Sequence, residues 1–182
     1  IKESCPLKPI NLYGFSKMTQ EELSLMFARQ GQDVIIARIF NISGEGVTKN
    51  FVIGKFAHVL TLIKKNKMKP ILYTKGLNRR RDFLDIEDVC RYILALAISG
   101  KSGQIYNVCS GKEFLIKNLL NRLIKFSEIR NIKIIEDSEA GNSGILDSRG
   151  SNLKIRKLLN NYKTISIEKS LRDSYQYYLL RT

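Results

Sequence analysis

Two hydrophobic periods alternate along this chain. Tyr13 to Gln30 places Leu23, Met26 and Phe27 at helical spacing and meets Gly31, a helix stop, so a helix is expected there. Val34-Ile35-Ile36-Ala37-Arg38-Ile39-Phe40 is a short β-branched run with the pattern of a strand buried on both faces. Phe51 to Lys65 returns to the helical period, and Ile71-Leu72-Tyr73 behind Pro70 is a short strand. Ile86 to Ser99 puts Val89, Ile93, Leu96 and Ala97 on one helix face and ends at Gly100. Ile105 to Cys109 is a second buried strand, closed by Ser110-Gly111. Helical periods follow over Ile116 to Ile124 and Ile167 to Leu180, with a less regular strand at Ile132 to Ile135.

Strands and helices taking turns in this way mark an α/β protein with a parallel sheet. Open α/β sheets place their ligands beyond the carboxyl ends of the strands, so the Gly44- and Gly46-bearing segment from Asn41 to Asn50 is the first place to look for a site. Gly141, Gly144 and Gly150 make Asp137 to Gly150 a loop. Only two strong buried runs occur before residue 110, fewer than a parallel sheet needs, and no G-x-G-x-x-G or G-x-x-x-x-G-K-[ST] opens a βαβ unit. With Ile1 in first place and no signal-peptide pattern, the sequence is expected to begin inside a longer protein whose cofactor-clamping half lies upstream.

Composition narrows the function classes. Of 182 residues 43% are hydrophobic and 26% charged, enough for an ordinary core. No apolar run approaches the roughly 18 residues that span a bilayer, so no membrane partner is expected. The net charge of +14 comes from Lys and Arg spread along the chain, without zinc-finger spacing, a basic zipper or an aromatic-basic strand, so nucleic acid is not the expected partner. Cys5, Cys90 and Cys109 are odd in number and lack C-x-x-C spacing, which points to a reducing cytoplasm. His58 is the single histidine and has no second ligand at metal-binding spacing, so no metal is expected.

Tyr13 and Lys17 stand i, i+4 at a helix start, which puts a phenol and an ammonium on one face. A lysine beside a tyrosine favours the phenolate and suits the pair to pass a proton to a carbonyl or from an alcohol. Eight tyrosines in a Lys-rich chain would produce about one such spacing by chance, so the pair needs its context.

Around that pair the sequence resembles the extended short-chain dehydrogenase/reductase family, the NAD-dependent epimerases and dehydratases. The likeness rests on the stretch from Glu3 to Lys17 that contains Tyr13-Gly14-Phe15-Ser16-Lys17. Three blocks follow in the family's order: Arg38-Ile39-Phe40-Asn41-Ile42-Ser43-Gly44-Glu45-Gly46, Arg80-Arg81-Asp82-Phe83-Leu84-Asp85-Ile86-Glu87-Asp88-Val89, and Gly103-Gln104-Ile105-Tyr106-Asn107-Val108-Cys109-Ser110-Gly111. It runs from Glu3 to about Asp137 and resumes at Lys154. Members that reduce GDP-4-keto-6-deoxy-D-mannose look most alike, which implies NAD or NADP as cofactor, a nucleotide-sugar substrate, and GDP-D-rhamnose as product. A 4-epimerase, a 4,6-dehydratase and a non-catalytic sugar-nucleotide-binding fragment are the alternatives, and a homodimer is left open.

The resemblance also implies roles. Tyr13 is the general acid/base; Lys17 holds the nicotinamide ribose and lowers the tyrosine pKa; Phe40 and Asn41 lie against the nicotinamide. Asn41 is further directed at the sugar or its phosphate, and Lys55 and Arg81 are directed at the diphosphate, where Arg can fork two oxygens and a helix start adds a favourable dipole. A solvated helix lysine is the plain alternative for Lys55, and an ion pair with Asp82 or Asp85 the one for Arg81. Asp85 and Asp88 are expected to cap a helix, Cys109 to pack, and Tyr175, Tyr177 and Tyr178 to seat the last helix. In domain terms, residues 1–45 would close a Rossmann domain and residues 46–182 would form mainly a small α/β substrate domain, with 84–111 returning to the Rossmann sheet. Reductases of this kind usually turn an Arg-Pro-x-Asp-like segment toward the nucleotide; between Ser138 and Gly150 this chain offers only Arg149.

Overall fold

The computed structural model describes residues 1–137, 147–160 and 162–182. It is α/β, with helix α1 at Leu12–Arg29, strands β1 at Ile36–Ile39 and β2 at Asn41–Ser43, helix α2 at Val52–Lys64, and strands β3 at Ile71–Thr74, β4 at Arg80–Arg81 and β5 at Phe83–Asp85. Helix α3 at Ile86–Ser99, strands β6 at Ile105–Val108 and β7 at Phe114–Leu115, helix α4 at Ile116–Ser127, strands β8 at Lys133–Glu136 and β9 at Asp147–Ser148, and helices α5 at Leu153–Leu158 and α6 at Ile167–Arg181 complete it.

Strand pairing is parallel except in one place. β1 pairs with β6, β2 with β5, β3 with β8 and β4 with β9 in parallel; only β4 with β7 is antiparallel. A parallel pair needs a crossover, and the connection from β1 to β6 runs through β2 to β5 and returns along α3. One core gathers Leu84, Val89, Tyr92, Tyr106, Val108 and Ile155 around β6, α3 and α5. A second packs Ile53, Phe56 and Leu60 of α2 against Leu119, Leu120 and Leu123 of α4 and Leu171 of α6. Each fully buried leucine there contributes about 1.5–3 kcal/mol relative to exposure, which is what holds this three-helix layer together.

Several expectations change in detail. The run from Val34 to Phe40 forms a strand only over Ile36–Ile39 and is half-buried, with Ile39 45% exposed. β1 has β6 as its one partner among the described residues, so its other edge is uncovered by them. On α1, Leu23, Met26 and Phe27 are each about half exposed, and the residue that is buried is Glu21. The buried face of α3 differs from the expected one: Val89 and Leu96 face inward as expected and Tyr92 joins them, while Ile93 and Ala97 are exposed. The expected loop from Asp137 to Gly150 contains β9, and its residues 138–146 lie outside the described ones, so the Arg-Pro-x-Asp question does too.

Candidate active site

The helix carrying Tyr13 and Lys17 begins at an Asn11 cap, whose side-chain oxygen accepts from the Gly14 amide at 2.8 Å. Ser16 donates its hydroxyl to the Tyr13 carbonyl, tightening the same turn. Tyr13 is 73% exposed, and the Lys17 ammonium lies 5.8 Å from its ring centre while donating to Gln20 at 3.0 Å. Phenol and ammonium therefore share one open helix face, with a donor and an acceptor ready for a ligand's carbonyl and hydroxyl groups.

Phe40 and Asn41 sit where β1 hands over to β2. The Phe40 amide donates to Val108, extending the β1–β6 ladder by one bond, and its ring lies against Gly150. Asn41 pairs with Phe83 across β2–β5 and gives its amide side chain to the Asp82 carbonyl at 3.0 Å, which fixes its orientation and engages one of its two N–H donors. The turn after β2 passes close to the α3 start. Gly44, at φ +109, leaves so little room that a Cβ would come within 2.7 Å of an Asp85 carboxylate oxygen, so only glycine fits. Lys55 lies in the first turn of α2 and is exposed. Arg81 is half-buried in β4, where desolvation, with nearby Arg79 adding to it, pushes its pKa down against the pull of Asp147.

Asp82 and Asp85, the two carboxylates weighed as partners for Arg81, bind backbone donors. Asp82 is fully buried and accepts from the Ser110 amide and hydroxyl at 2.8 and 2.7 Å, the Gly111 amide at 3.0 Å and the Gly150 amide at 3.1 Å. Burial pushes its carboxyl pKa up, and those donors pull it back part of the way. Asp85 caps α3 through the Glu87 amide. Asp88 is not a cap: buried within the helix, it accepts from the Ile165 amide at 2.7 Å and ties the segment before α6 to α3.

Residues 1–109 match the NAD dependent epimerase/dehydratase family. The chain belongs to that family.

Among relatives, a GDP-6-deoxy-D-mannose reductase from Pseudomonas aeruginosa is 32% identical over 166 residues, covering 90% of this chain and 54% of the relative. A GDP-6-deoxy-D-talose 4-dehydrogenase from Aggregatibacter actinomycetemcomitans is 26% identical over 185 residues, covering 99% and 60%. The structure of RMD from Pseudomonas aeruginosa complexed with NADPH superposes with a TM-score of 0.91 at 30% identity, over 99% of this chain and 60% of that one. This chain thus spans a little over half the length of the relatives it matches. Its parallel α/β arrangement is the Rossmann-like one of these family structures. The family is NAD-dependent, and the chemistry of Tyr13 and Lys17, a phenol beside an ammonium on an open face, fits the ribose and nicotinamide end of such a cofactor. No helix among the described residues is long and apolar enough to cross a membrane.

Two family-motif residues, Arg38 and Asn107, have structural duties that motif reading alone did not reveal, and a third, Cys109, packs as expected. Arg38 forks both oxygens of Glu21 at 2.7 and 2.6 Å and gives a third N–H to the Glu3 carbonyl at 2.9 Å. Asn107, fully buried in β6, takes its amide to the Glu3 carboxylate and its side chain toward Ser151. Cys109 is buried, its thiol pushed up to about 12 by desolvation, and it packs against Gly150 as a neutral group. Only the position of Glu21, four residues beyond Lys17 on the same helix face, could have hinted at its role.

Proposed function

We propose that the protein reduces the 4-keto group of a 6-deoxy sugar nucleotide with NADH or NADPH, converting GDP-4-keto-6-deoxy-D-mannose to GDP-D-rhamnose. The observation that carries this reading is the Tyr13–Lys17 face at the start of α1, in a chain of the NAD dependent epimerase/dehydratase family that is 32% identical to a GDP-6-deoxy-D-mannose reductase. Tyr13 donates its phenolic proton to the carbonyl oxygen, and the ketone becomes an alcohol as the carbon accepts hydride. The dinucleotide supplies that hydride when bound and leaves oxidised. Lys17 holds the ribose hydroxyls and favours the phenolate that remains. Phe40 and Asn41 lie against the nicotinamide, Asn41 turning its remaining polar atoms to the sugar, while Lys55 and Arg81 take the diphosphate.

In the same reading residues 1–45 close the cofactor domain, residues 46–182 make mainly the substrate domain, and 84–111 return to the cofactor sheet. A cytoplasmic enzyme follows, and a homodimer is compatible with it. The test uses the natural full-length protein and GDP-4-keto-6-deoxy-D-mannose, with NAD(P)H oxidation followed by absorbance and binding by calorimetry. Tyr13→Phe is expected to lower turnover by roughly 10²–10⁴-fold while leaving dinucleotide and sugar-nucleotide binding in place. Turnover equal to wild type in Tyr13→Phe would remove the tyrosine from the reaction.

A further inference from the structure

Helix α1 buries the wrong kind of residue for a helix held by hydrophobic packing. Leu23, Met26 and Phe27 are half exposed, and the one buried side chain is a carboxylate, Glu21. Taking a carboxylate out of water is unfavourable unless it is paired with good geometry, and even a well-made buried pair adds little net stability over an apolar one. What such a pair supplies is a fixed orientation. Arg38 meets Glu21 with two parallel N–H···O bonds of 2.7 and 2.6 Å, the planar fork that defines direction as well as distance.

The rest of the guanidinium extends the clamp. A third N–H reaches the Glu3 carbonyl at 2.9 Å, and the Glu3 carboxylate accepts from the backbone of Asn107, the residue paired with Arg38 across β1–β6. The Arg38 and Glu3 side chains together thus tie the helix, the segment that leads into it and both strands of the parallel pair. Phe40 and Asn41 lie two and three residues beyond Arg38, where β1 passes into β2.

Tyr13, Lys17 and Glu21 are spaced i, i+4, i+8 and so occupy one stripe, with Glu21 about 12 Å along the axis from Tyr13 at 1.5 Å per residue. A contact on that stripe sets the roll of the helix. The tyrosine oxygen stands roughly 8 Å from the helix axis, so a roll of about 10° moves it by about 1.5 Å, and displacements near 1 Å cost about 10²-fold in rate when groups must meet in register.

The geometry points to Glu21 and Arg38 as positioning residues that set the aim of Tyr13 and Lys17 over the end of β1. This inference rests on the catalytic reading of Tyr13 given above. The hydrogen bonds from Arg38 to Glu21 raise its pKa and outweigh the opposing effect of burial, so the guanidinium stays charged at any working pH.

The experiment compares Glu21→Gln and Arg38→Lys with wild type in the natural full-length protein, reporting kcat per dinucleotide-binding site so that misfolded molecules do not count. Both variants are expected to lose roughly 10–100-fold in kcat with KM for the sugar nucleotide within about twofold, because the ligand-contacting groups are intact but misdirected. The double variant is expected to be little worse than either single one, since both act through one contact. A kcat per site within about twofold of wild type, or a loss confined to the fraction of protein able to bind dinucleotide, overturns the inference and leaves the pair a purely structural one. Tyr13→Phe run alongside separates the two readings: if it is inactive while Glu21→Gln is fully active, only the positioning role fails; if Tyr13→Phe is fully active, the catalytic reading fails and the positioning role with it.

Discussion

Replacing Asp82 tests the structural centre of the site. Its carboxylate is fully buried and accepts four hydrogen bonds, two on each oxygen: Ser110 amide and hydroxyl on one, Gly111 and Gly150 amides on the other. In this way one side chain joins the β4–β5 junction, the loop after β6 and the start of the segment leading to α5. Asp82→Ala strands three backbone donors. Each hydrogen bond to a charged group is worth about 1.5–3 kcal/mol, but the serine hydroxyl can rotate and water can enter the space left, so the loss falls well short of the full set. Single substitutions beyond about 5 kcal/mol are exceptional, and about 3–5 kcal/mol is the expected destabilisation.

Asp82→Asn is the sharper variant because it keeps the volume. One end of its amide can still accept from Ser110, but the other presents N–H to the Gly111 and Gly150 donors, so about 2–4 kcal/mol is expected. Urea unfolding followed by circular dichroism, with the midpoint shift multiplied by a common slope, measures both. A loss below about 1 kcal/mol for Asp82→Asn would refute the reasoning, since it would mean that those two amides find other acceptors at no cost.

Two further outcomes follow from packing and protonation. In Gly150→Ala the new methyl would sit 2.4 Å from the Cys109 sulfur and 2.8 Å from the Phe40 ring, and the overpacking is expected to cost about 1–3 kcal/mol, part of it recovered in Gly150→Ala/Cys109→Ala; urea midpoints of the single and double variants check this. His58 has a buried Nδ1 without a partner, and burial followed by the charge of Lys49 lowers its pKa below 6.5. The unfolded chain therefore binds its proton first, and the His58 contribution to stability is present above about pH 6.5 and is lost on acidification below it. Because His58 is the only histidine, the difference in urea midpoint between wild type and His58→Phe across about pH 7.5 to 5.5 isolates it, and an identical pH dependence in the two proteins would count against it.

Local pattern was enough to find the long elements. Helical spacing located α1, α2, α3, α4 and α6 to within a few residues, and the β-branched runs located β1 and β6, because these features depend on neighbours within a turn or a strand. The order of the motif blocks likewise identified the family before any geometry was known, and the Tyr13–Lys17 stripe needed only helix periodicity. The short strands were not legible. β4, β7 and β9 have two residues each and β2 and β5 three, too few to express a period, and they exist because partners distant in sequence offer them hydrogen bonds.

The faces were less legible than the elements. Periodicity placed an apolar stripe on α1 and on α3, but which residues it covers depends on what lies opposite: Tyr92 is inside and Ile93 outside, and on α1 the buried residue is Glu21. The sequence by itself determined the order of the long elements, the α/β class and the family, since each is written in short-range spacing and in the order of the motifs. Only the tertiary structure decided that Arg38 clamps Glu21 from 17 positions away and that Asp82 gathers donors 28, 29 and 68 positions distant. A buried charge is stable only where its partners converge in space, and no spacing along the chain encodes that convergence.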